Sequence, residues 1–229
     1  MPVIGVKNYR ALPQASKGYK GVAMEGVIAR WYAIITKNRG DYAATAKLVA
    51  DHTAAGSRVL EVAPGPGYLA LELARLGFAV VALDVSKTFV ELAQARAKEA
   101  GVSIEFRQGQ VACMPFGNET FDFIVCTAAF KNFSEPIAAL KEMQRVLRPG
   151  GTALVVDLRR DASKEGIDEE VKKMGLNTIN ALMTKGAFRF MLLKSAYTVA
   201  EIKQFASQTD FRKCDIVTDS IGMEIWLRN

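Results

Sequence analysis

The chain has 229 residues, of which half are hydrophobic, with a formal net charge of +6 and one histidine. This composition supports one folded domain, or one domain with an appended lid, and excludes a disordered or fibrous protein. The Lys and Arg residues are scattered along the chain in pairs such as Arg159-Arg160, so the excess charge indicates solvated surface and argues against a nucleic-acid partner.

The three cysteines, Cys113, Cys126 and Cys214, are far apart and form neither a CxxC pair nor a cluster with histidine. This spacing argues against a disulfide framework and predicts no metal site. No apolar stretch reaches the 18 residues of a membrane span, and the N-terminus lacks the apolar core of an export signal. We therefore expect a cytoplasmic protein.

Residues 1–20 are rich in Gly, Pro, Lys and Tyr and predict an irregular arm. Apolar residues at helical spacing from Val22 to Thr36 predict a first helix, and a second follows from Asp41, its candidate cap, to His52. Because both helices precede the first strand, we expect them on the flank of the sheet or over its ligand-binding edge.

Residues 58–84 predict a strand, a turn, a helix and a second strand that ends on Asp84. The apolar run Arg58–Val62 stops at Pro64-Gly65-Pro66-Gly67, and a helical pattern from Tyr68 leads to a buried strand over 79–83. Two strands joined in this way form a right-handed βαβ unit. Asp84 then lies at the carboxyl end of a strand, where open α/β sheets bind ligands.

Strands and helices continue to alternate beyond this unit. Ser86 and Gly101 bound a predicted helix over 86–100. The pattern predicts further strands over 102–107, 121–128 and 152–158, a loop over 109–120, helices over 136–147 and 198–207, charged helical segments within 161–195, and a hairpin of 211–218 with 221–227. We predict an α/β fold with a mostly parallel sheet, helices on both faces and an antiparallel C-terminal hairpin at one edge.

The turn after the first strand carries a nucleotide-binding pattern. Gly65, Gly67 and Ala70 satisfy G-x-G-x-x-A, and Asp84 follows Gly67 by 17 residues. The two prolines in the turn lack the N–H groups that a pyrophosphate needs, and Glu61 adds a carboxylate that favours a cationic ligand. An NAD-dependent oxidoreductase remains the alternative, although no Tyr-x-x-x-Lys pair accompanies the turn.

Several segments together resemble the successive motifs of class I S-adenosylmethionine-dependent methyltransferases: EVAPGPG at 61–67, Asp84, the loop GQVACMPF with FDFIVC, and LKEMQRVLRPGG. The resemblance covers about residues 55–160, and within the family it is greatest to the branch that methylates small molecules such as quinones, phenols and sterols. It implies a Rossmann-like, doubly wound sheet of seven strands. It also implies an N-terminal arm and lid helices in 1–54 and a methyltransferase domain in 55–229, with 161–197 as an insertion on the acceptor side.

The resemblance also implies roles for single residues. The turn from Glu61 through Ala63 and Gly65 to Gly67 would face the methionine part of S-adenosylmethionine, and Asp84 would accept hydrogen bonds from both ribose hydroxyls. Val85 would pack on adenine, Gln110 and Val111 would read its edge, and Cys126 and Thr127 would lie near the sulfonium. Tyr32 would close over the methionine carboxylate or the acceptor, or else belong to the core of the lid helix.

Three positions depart from the family pattern. Ala63 replaces the first glycine, which is acceptable if its φ is negative. Gln110 occupies a position where an acid is common, and Lys131-Asn132 stands where histidines are frequent. Without a histidine base, an acceptor that is already ionised is the easiest to methylate, and we expect Lys131 to lower the pKa of such a small-molecule acceptor by its charge. A protein that binds the cofactor without transferring its methyl group is a further alternative. The oligomeric state stays open.

Overall fold

A seven-stranded sheet forms the centre of the computed structural model, which describes residues 18–20, 23–37, 41–173, 175, 178–188 and 192–229. Its strands are β1 (Arg58–Val62), β2 (Ala79–Asp84), β3 (Glu105–Gln108), β4 (Phe121–Thr127), β5 (Leu147–Leu158), β6 (Lys213–Thr218) and β7 (Gly222–Arg228). The strand order is β3-β2-β1-β4-β5-β7-β6. Strands β1 to β5 pair in parallel, whereas β7 runs antiparallel to both β5 and β6. The predicted parallel sheet with a hairpin edge is confirmed.

Eight α-helices surround this sheet in the described part of the chain. They are α1 (Gly26–Thr36), α2 (Tyr42–Ala50), α3 (Tyr68–Arg75), α4 (Lys87–Glu99), α5 (Pro136–Val146), α6 (Lys164–Lys173), α7 (Thr178–Ala187) and α8 (Val199–Ala206). None of the helices in the described ranges is long and apolar enough to cross a membrane.

Alternation along the strands divides the core into two layers. Val59 and Phe123 face one side, where they pack with residues of α2 and α3. Leu60 and Ile124, their chain neighbours, face the other side and pack with residues of α5 and α8. Since both faces are covered, the central strands are apolar on both sides, as their continuous hydrophobic runs predict.

Side-chain caps fix where several helices begin. The Ser86 hydroxyl accepts a hydrogen bond from the Phe89 N–H at 3.0 Å, and Asp41 accepts one from the Ala44 N–H at 2.9 Å, so both predicted caps are confirmed. Gly101, at a φ of 67°, follows the end of α4 as predicted. The Ser86 cap fixes the start of α4, which only two residues separate from the end of β2, so α4 begins beside the carboxyl edge of the sheet.

Three predicted helix or strand starts are wrong. Strand β5 begins at Leu147, which pairs with Phe121 of β4, and not at residue 152. Helix α1 begins at Gly26, after the extended residue Glu25, and the predicted start at Val22 lies outside the described residues. Strand β3 begins at Glu105 and not at Val102, because the Val102 N–H donates to the Ala97 carbonyl at the end of α4.

The segment after β5 forms a small core of its own. Ile167, Val171, Phe188, Leu193 and Ile221 are buried together, which joins α6 to the turn of the C-terminal hairpin. The apolar run 188–193 therefore contributes at least its first and last residues to packing, while 189–191, like the predicted arm at 1–17, lie outside the described residues.

Candidate active site

Two acidic side chains are buried at the carboxyl ends of β1 and β2. Glu61 is 2% exposed and Asp84 is 5% exposed. Because the two strands are parallel neighbours, with Val62 opposite Leu83, their carboxyl ends meet at one edge of the sheet. Burying a carboxylate is costly unless it is paired, so two of them side by side indicate a binding site.

Glu61 caps the helix that follows it. The Ala70 N–H donates to its carboxylate, which supplies a cap for α3 because Gly67, the residue at the cap position, has no side chain. The second carboxylate oxygen, Oε2, is buried and has no hydrogen-bond partner among the described residues. Burial, with the neighbouring charge of Asp84, raises the pKa of Glu61 to about 8.

Asp84 holds the turn in place. Its Oδ2 accepts the Gly65 N–H at 3.0 Å and its Oδ1 accepts the Ser86 N–H at 2.8 Å. Burial raises the pKa of Asp84 to about 6, against the lowering effect of these hydrogen bonds. Each carboxylate oxygen keeps a free lone pair, so Asp84 can accept two further hydrogen bonds from a ligand such as a diol.

The turn needs glycine at Gly67. Its φ is 83°, and a side chain there would bring a Cβ to 2.7 Å from the Cβ of Ala93 on α4. Gly65 also has a positive φ, of 52°. Ala63 does so as well, at 55°, so the condition under which alanine would be unstrained at this position, a negative φ, is not met. Its N–H continues the sheet by donating to the Leu83 carbonyl at 2.8 Å, and this bond fixes the strained turn to β2.

The residues assigned to adenine are divided between surface and core. Val85 is 40% exposed beside Asp84, as a residue that stacks on a ligand must be. Gln110 lies against Gly18, where an added Cβ would come within 3.2 Å of its side chain. Val111 is buried in the core layer under α5 and α8, so only its backbone is available to a ligand.

Cys126 and Thr127 end β4, next to β1. Cys126 lies opposite Val62 and is fully buried, and burial raises the pKa of its thiol well above the usual value. A thiol in this state packs as a small hydrophobic residue. Thr127 is half-buried at the sheet edge, followed by Ala128, which has a φ of 54°.

Lys131 lies on the β4–β5 side of the same edge, in a short 3-10 helix over Phe130–Asn132. Its Nζ donates to Asp157 Oδ1 at 2.8 Å and to the Ala128 carbonyl at 2.7 Å. The Lys131 ammonium, which the sequence analysis expected to act on the acceptor, is therefore already paired with Asp157.

Helix α1 covers the β1–β2 edge. Tyr68 OH donates to the Ala33 carbonyl at 2.8 Å, and the Tyr32 ring lies 5.9 Å from that of Phe89 on α4. Tyr32 thus packs from α1 against α4, the helix that follows Asp84. Both expected readings of Tyr32, as lid core and as a ligand contact, agree with this half-buried position.

Two residues in this region were missed in the sequence. Glu25 accepts hydrogen bonds from the N–H groups of Lys87 and Thr88, at 2.9 and 3.0 Å, and so caps α4 from a segment 62 residues away. Tyr19 pairs with Phe133, and burial, then the neighbouring Tyr32 and Asp84, raise its pKa. No local sequence pattern signals either contact, because both partners are distant in the chain.

In a comparison with known protein families, residues 60–155 match a family described as a methyltransferase domain. An uncharacterized methyltransferase, YcgJ of Bacillus subtilis, is 36% identical over 114 residues, which are 49% of this chain and 43% of that protein. The ubiquinone/menaquinone biosynthesis C-methyltransferase UbiE of Bdellovibrio bacteriovorus is 39% identical over 107 residues, 45% of each chain. The chain thus spans less than half the length of these relatives.

Among solved structures, a SAM-dependent methyltransferase from Aquifex aeolicus superposes with a TM-score of 0.64. The alignment covers 86% of this chain and 97% of that one, at 18% identity. The likeness therefore extends beyond the matched domain to most of the fold.

Proposed function

We propose that this chain is a class I S-adenosylmethionine-dependent methyltransferase that methylates a small aromatic or apolar acceptor at the carboxyl ends of β1, β2 and β4. The observation that carries the proposal is the buried pair Glu61 and Asp84 at that edge, with one Glu61 oxygen left without a partner. An unpartnered buried carboxylate oxygen favours a cationic ligand, and Asp84 favours a ligand with neighbouring hydroxyls.

S-adenosylmethionine fits these residues in charge and in hydrogen-bonding groups. It would supply an electrophilic methyl group, while Asp84 would bind its ribose hydroxyls and Glu61 would face its cationic methionine part. Pro64 and Pro66 leave the turn short of N–H donors, which disfavours the pyrophosphate of NAD. Helix α1, tied to Tyr68 at the start of α3, would exclude water from the ligand.

The chain would act on the acceptor mainly through orientation. The one histidine, His52, binds the Leu48 carbonyl and packs on Trp226, away from the ligand edge, so no imidazole base is available. Without an imidazole base, the easiest acceptor to methylate is one that arrives ionised, as a thiolate, an acidic phenol or a similar group does. Alignment of the nucleophile with the methyl carbon would then supply most of the acceleration.

A basic cavity in the proposed acceptor-side segment supports an anionic acceptor. It has a volume of about 370 Å³ and is lined by Arg160, Ala162, Lys164, Ile167, Leu193 and Lys194. Arg160 is already paired with Glu201 at 2.6 Å, so the positive character of the cavity rests on Lys164 and Lys194, beside three apolar residues. This combination suits a negatively charged, otherwise hydrophobic molecule. The quinone-biosynthesis function of the Bdellovibrio relative is consistent with an acceptor of this class.

Transfer of labelled methyl groups tests the proposal. The purified chain is incubated with S-adenosylmethionine carrying a labelled methyl group and with a panel of thiols, phenols and hydroquinones, and Asp84→Asn serves as the matched variant. We expect at least one ionisable aromatic or thiol acceptor to be labelled by the wild type and not by the variant. Cofactor binding without transfer to any acceptor would favour a non-catalytic binding protein, and NAD binding would favour an oxidoreductase.

A further inference from the structure

Three residues other than glycine have a positive φ in the described part of the chain: Ala63, Glu119 and Ala128, at 55°, 52° and 54°. An L-residue in this region is strained, and such strain concentrates at functional sites. Ala63 and Ala128 directly follow β1 and β4, at the carboxyl edge of the sheet. Glu119 lies two residues before β4, at the opposite edge, on an exposed turn.

The turn at Ala128 is tied on both sides. Its N–H donates to the Val156 carbonyl of β5 at 2.7 Å, which continues the pairing of the sheet by one residue. Its carbonyl accepts the Nζ of Lys131 at 2.7 Å. The backbone before and after Ala128 is thus held by two different elements, although the Ala128 side chain itself is exposed.

Asp157 in turn holds Lys131. Its Oδ1 accepts the Lys131 Nζ at 2.8 Å, and its Oδ2 accepts the Lys131 N–H at 2.9 Å. The two side chains are only 10% and 2% exposed. An ion pair with this burial has little charge left for a third group, because each partner compensates the other. Its geometric effect, by contrast, is direct, since one carboxylate fixes both the backbone and the ammonium of Lys131.

We infer that Lys131 is a positioning residue, which with Asp157 holds the 128–131 turn in its left-handed conformation and so fixes Thr127 and Ala128 against the methyl-donor end of the site. This role rests on the proposed function, because it assigns the sulfonium to the carboxyl end of β4. It replaces the expectation that Lys131 acts on the acceptor by its charge. The strain at Ala128 persists because the ion pair and the β5 hydrogen bond together outweigh it.

Binding measurements with two ligands separate geometry from charge. S-adenosylmethionine carries a sulfonium, and S-adenosylhomocysteine does not. A cation near the sulfur would weaken binding of the first ligand only, whereas a misplaced turn would weaken binding of both. Calorimetric titration of each ligand into the whole chain therefore reports which role Lys131 has, and it needs no knowledge of the acceptor.

The main variant is Lys131→Met with Asp157→Asn, which removes both charges so that no lone carboxylate stays buried. We expect the Kd of both ligands to rise by the same factor, about tenfold, because Ala128 would leave its left-handed conformation once the tether is gone and the turn would shift. Adding Ala128→Gly should restore both Kd values most of the way, because glycine adopts a positive φ without the tether. Glu119→Gly, which relieves the same strain at the far edge, should leave both unchanged.

Other outcomes overturn the inference. An unchanged Kd, or a loss that Ala128→Gly does not rescue, would show that Lys131 does not act through the turn. Tighter binding of S-adenosylmethionine alone in the charge-free variant would restore a charge role. If the wild type bound neither ligand, the proposed function itself would be refuted. That result differs from the outcomes above, in which the wild type binds and only the role of Lys131 is refuted. Thermal unfolding of each variant identifies any that has lost its fold.

Discussion

At the scale of single residues, the account depends on two carboxyl groups that the fold buries at one edge. The sequence identified both, since Glu61 and Asp84 end predicted strands. It did not show how they differ: one Glu61 oxygen has no partner, whereas both Asp84 oxygens hold backbone N–H groups. Glu61 is therefore the less compensated of the two buried acids, and a bound cation would stabilise its charged form.

Replacing Glu61 should change how the stability of the ligand-free protein depends on pH. Burial raises the pKa of Glu61 from 4.5 to about 8 and that of Asp84 from 3.8 to about 6. The folded chain then binds more protons than the unfolded chain between those values, so the free energy of unfolding falls as pH rises from about 4 to about 8. The two shifts together correspond to a loss on the order of 7 kcal/mol in the wild type, most of it from Glu61.

In Glu61→Gln, the free energy of unfolding should fall by less than half as much between pH 4 and pH 8, because an amide has no proton to release. The variant should also be more stable than the wild type at pH 8. Urea titrations between pH 5 and pH 8 measure both effects. Glu99→Gln, the same change at an exposed position of α4, should follow the wild type. A Glu61→Gln protein with the wild-type pH dependence would contradict the burial argument.

At the scale of elements, helix α1 is fastened over the ligand edge at both ends. Glu25 caps α4 beside Asp84, while the Tyr68 hydroxyl binds Ala33 and the Tyr42 hydroxyl binds the Thr36 carbonyl at 3.1 Å. Since α3 begins at the glycine turn and α4 begins after Asp84, α1 bridges the two helices that flank the proposed cofactor. Its attachment should control how long a ligand stays.

Glu25→Ala should therefore shorten cofactor residence. Loss of the cap should cost about 1 kcal/mol of stability and raise the dissociation rate of S-adenosylhomocysteine severalfold, with a smaller effect on the association rate. Stopped-flow displacement measures both rates. Glu91→Ala, which removes only an exposed pair with Lys87 on the same helix, is the matched control. Equal dissociation rates in the two variants would show that the Glu25 contact does not hold the lid.

The elements themselves were largely predictable, and their long-range contacts were not. Ser86, Asp41 and Gly101 carry local signals of helix ends, and the structure confirms all three. Glu25 and Lys131 carry no such signal, because their partners, Thr88 and Asp157, lie 63 and 26 residues away. Periodicity and capping express local energetics, whereas these contacts exist only once the sheet has brought its strand ends together.

At the scale of the whole molecule, one edge of the sheet carries the proposed cofactor-binding residues. The carboxyl ends of β1, β2 and β4 supply the acids and the strained turns, and α1 covers them. The C-terminal hairpin forms the lateral end of the sheet beyond β5, where β7 pairs with β5 from Thr152 to Leu158. The matched family model ends at residue 155, within β5, so it covers the proposed cofactor side and not the segment that we assign to the acceptor.

The central claim is that this edge binds S-adenosylmethionine, and calorimetric titration of the cofactor and of NAD into the wild type and Asp84→Asn tests it most directly. The account predicts one site per chain for S-adenosylmethionine, no detectable NAD binding, and about 100-fold weaker cofactor binding in the variant, which loses charged hydrogen bonds to the ribose. Binding of NAD in preference to S-adenosylmethionine, or equal cofactor affinity in the wild type and the variant, would contradict it.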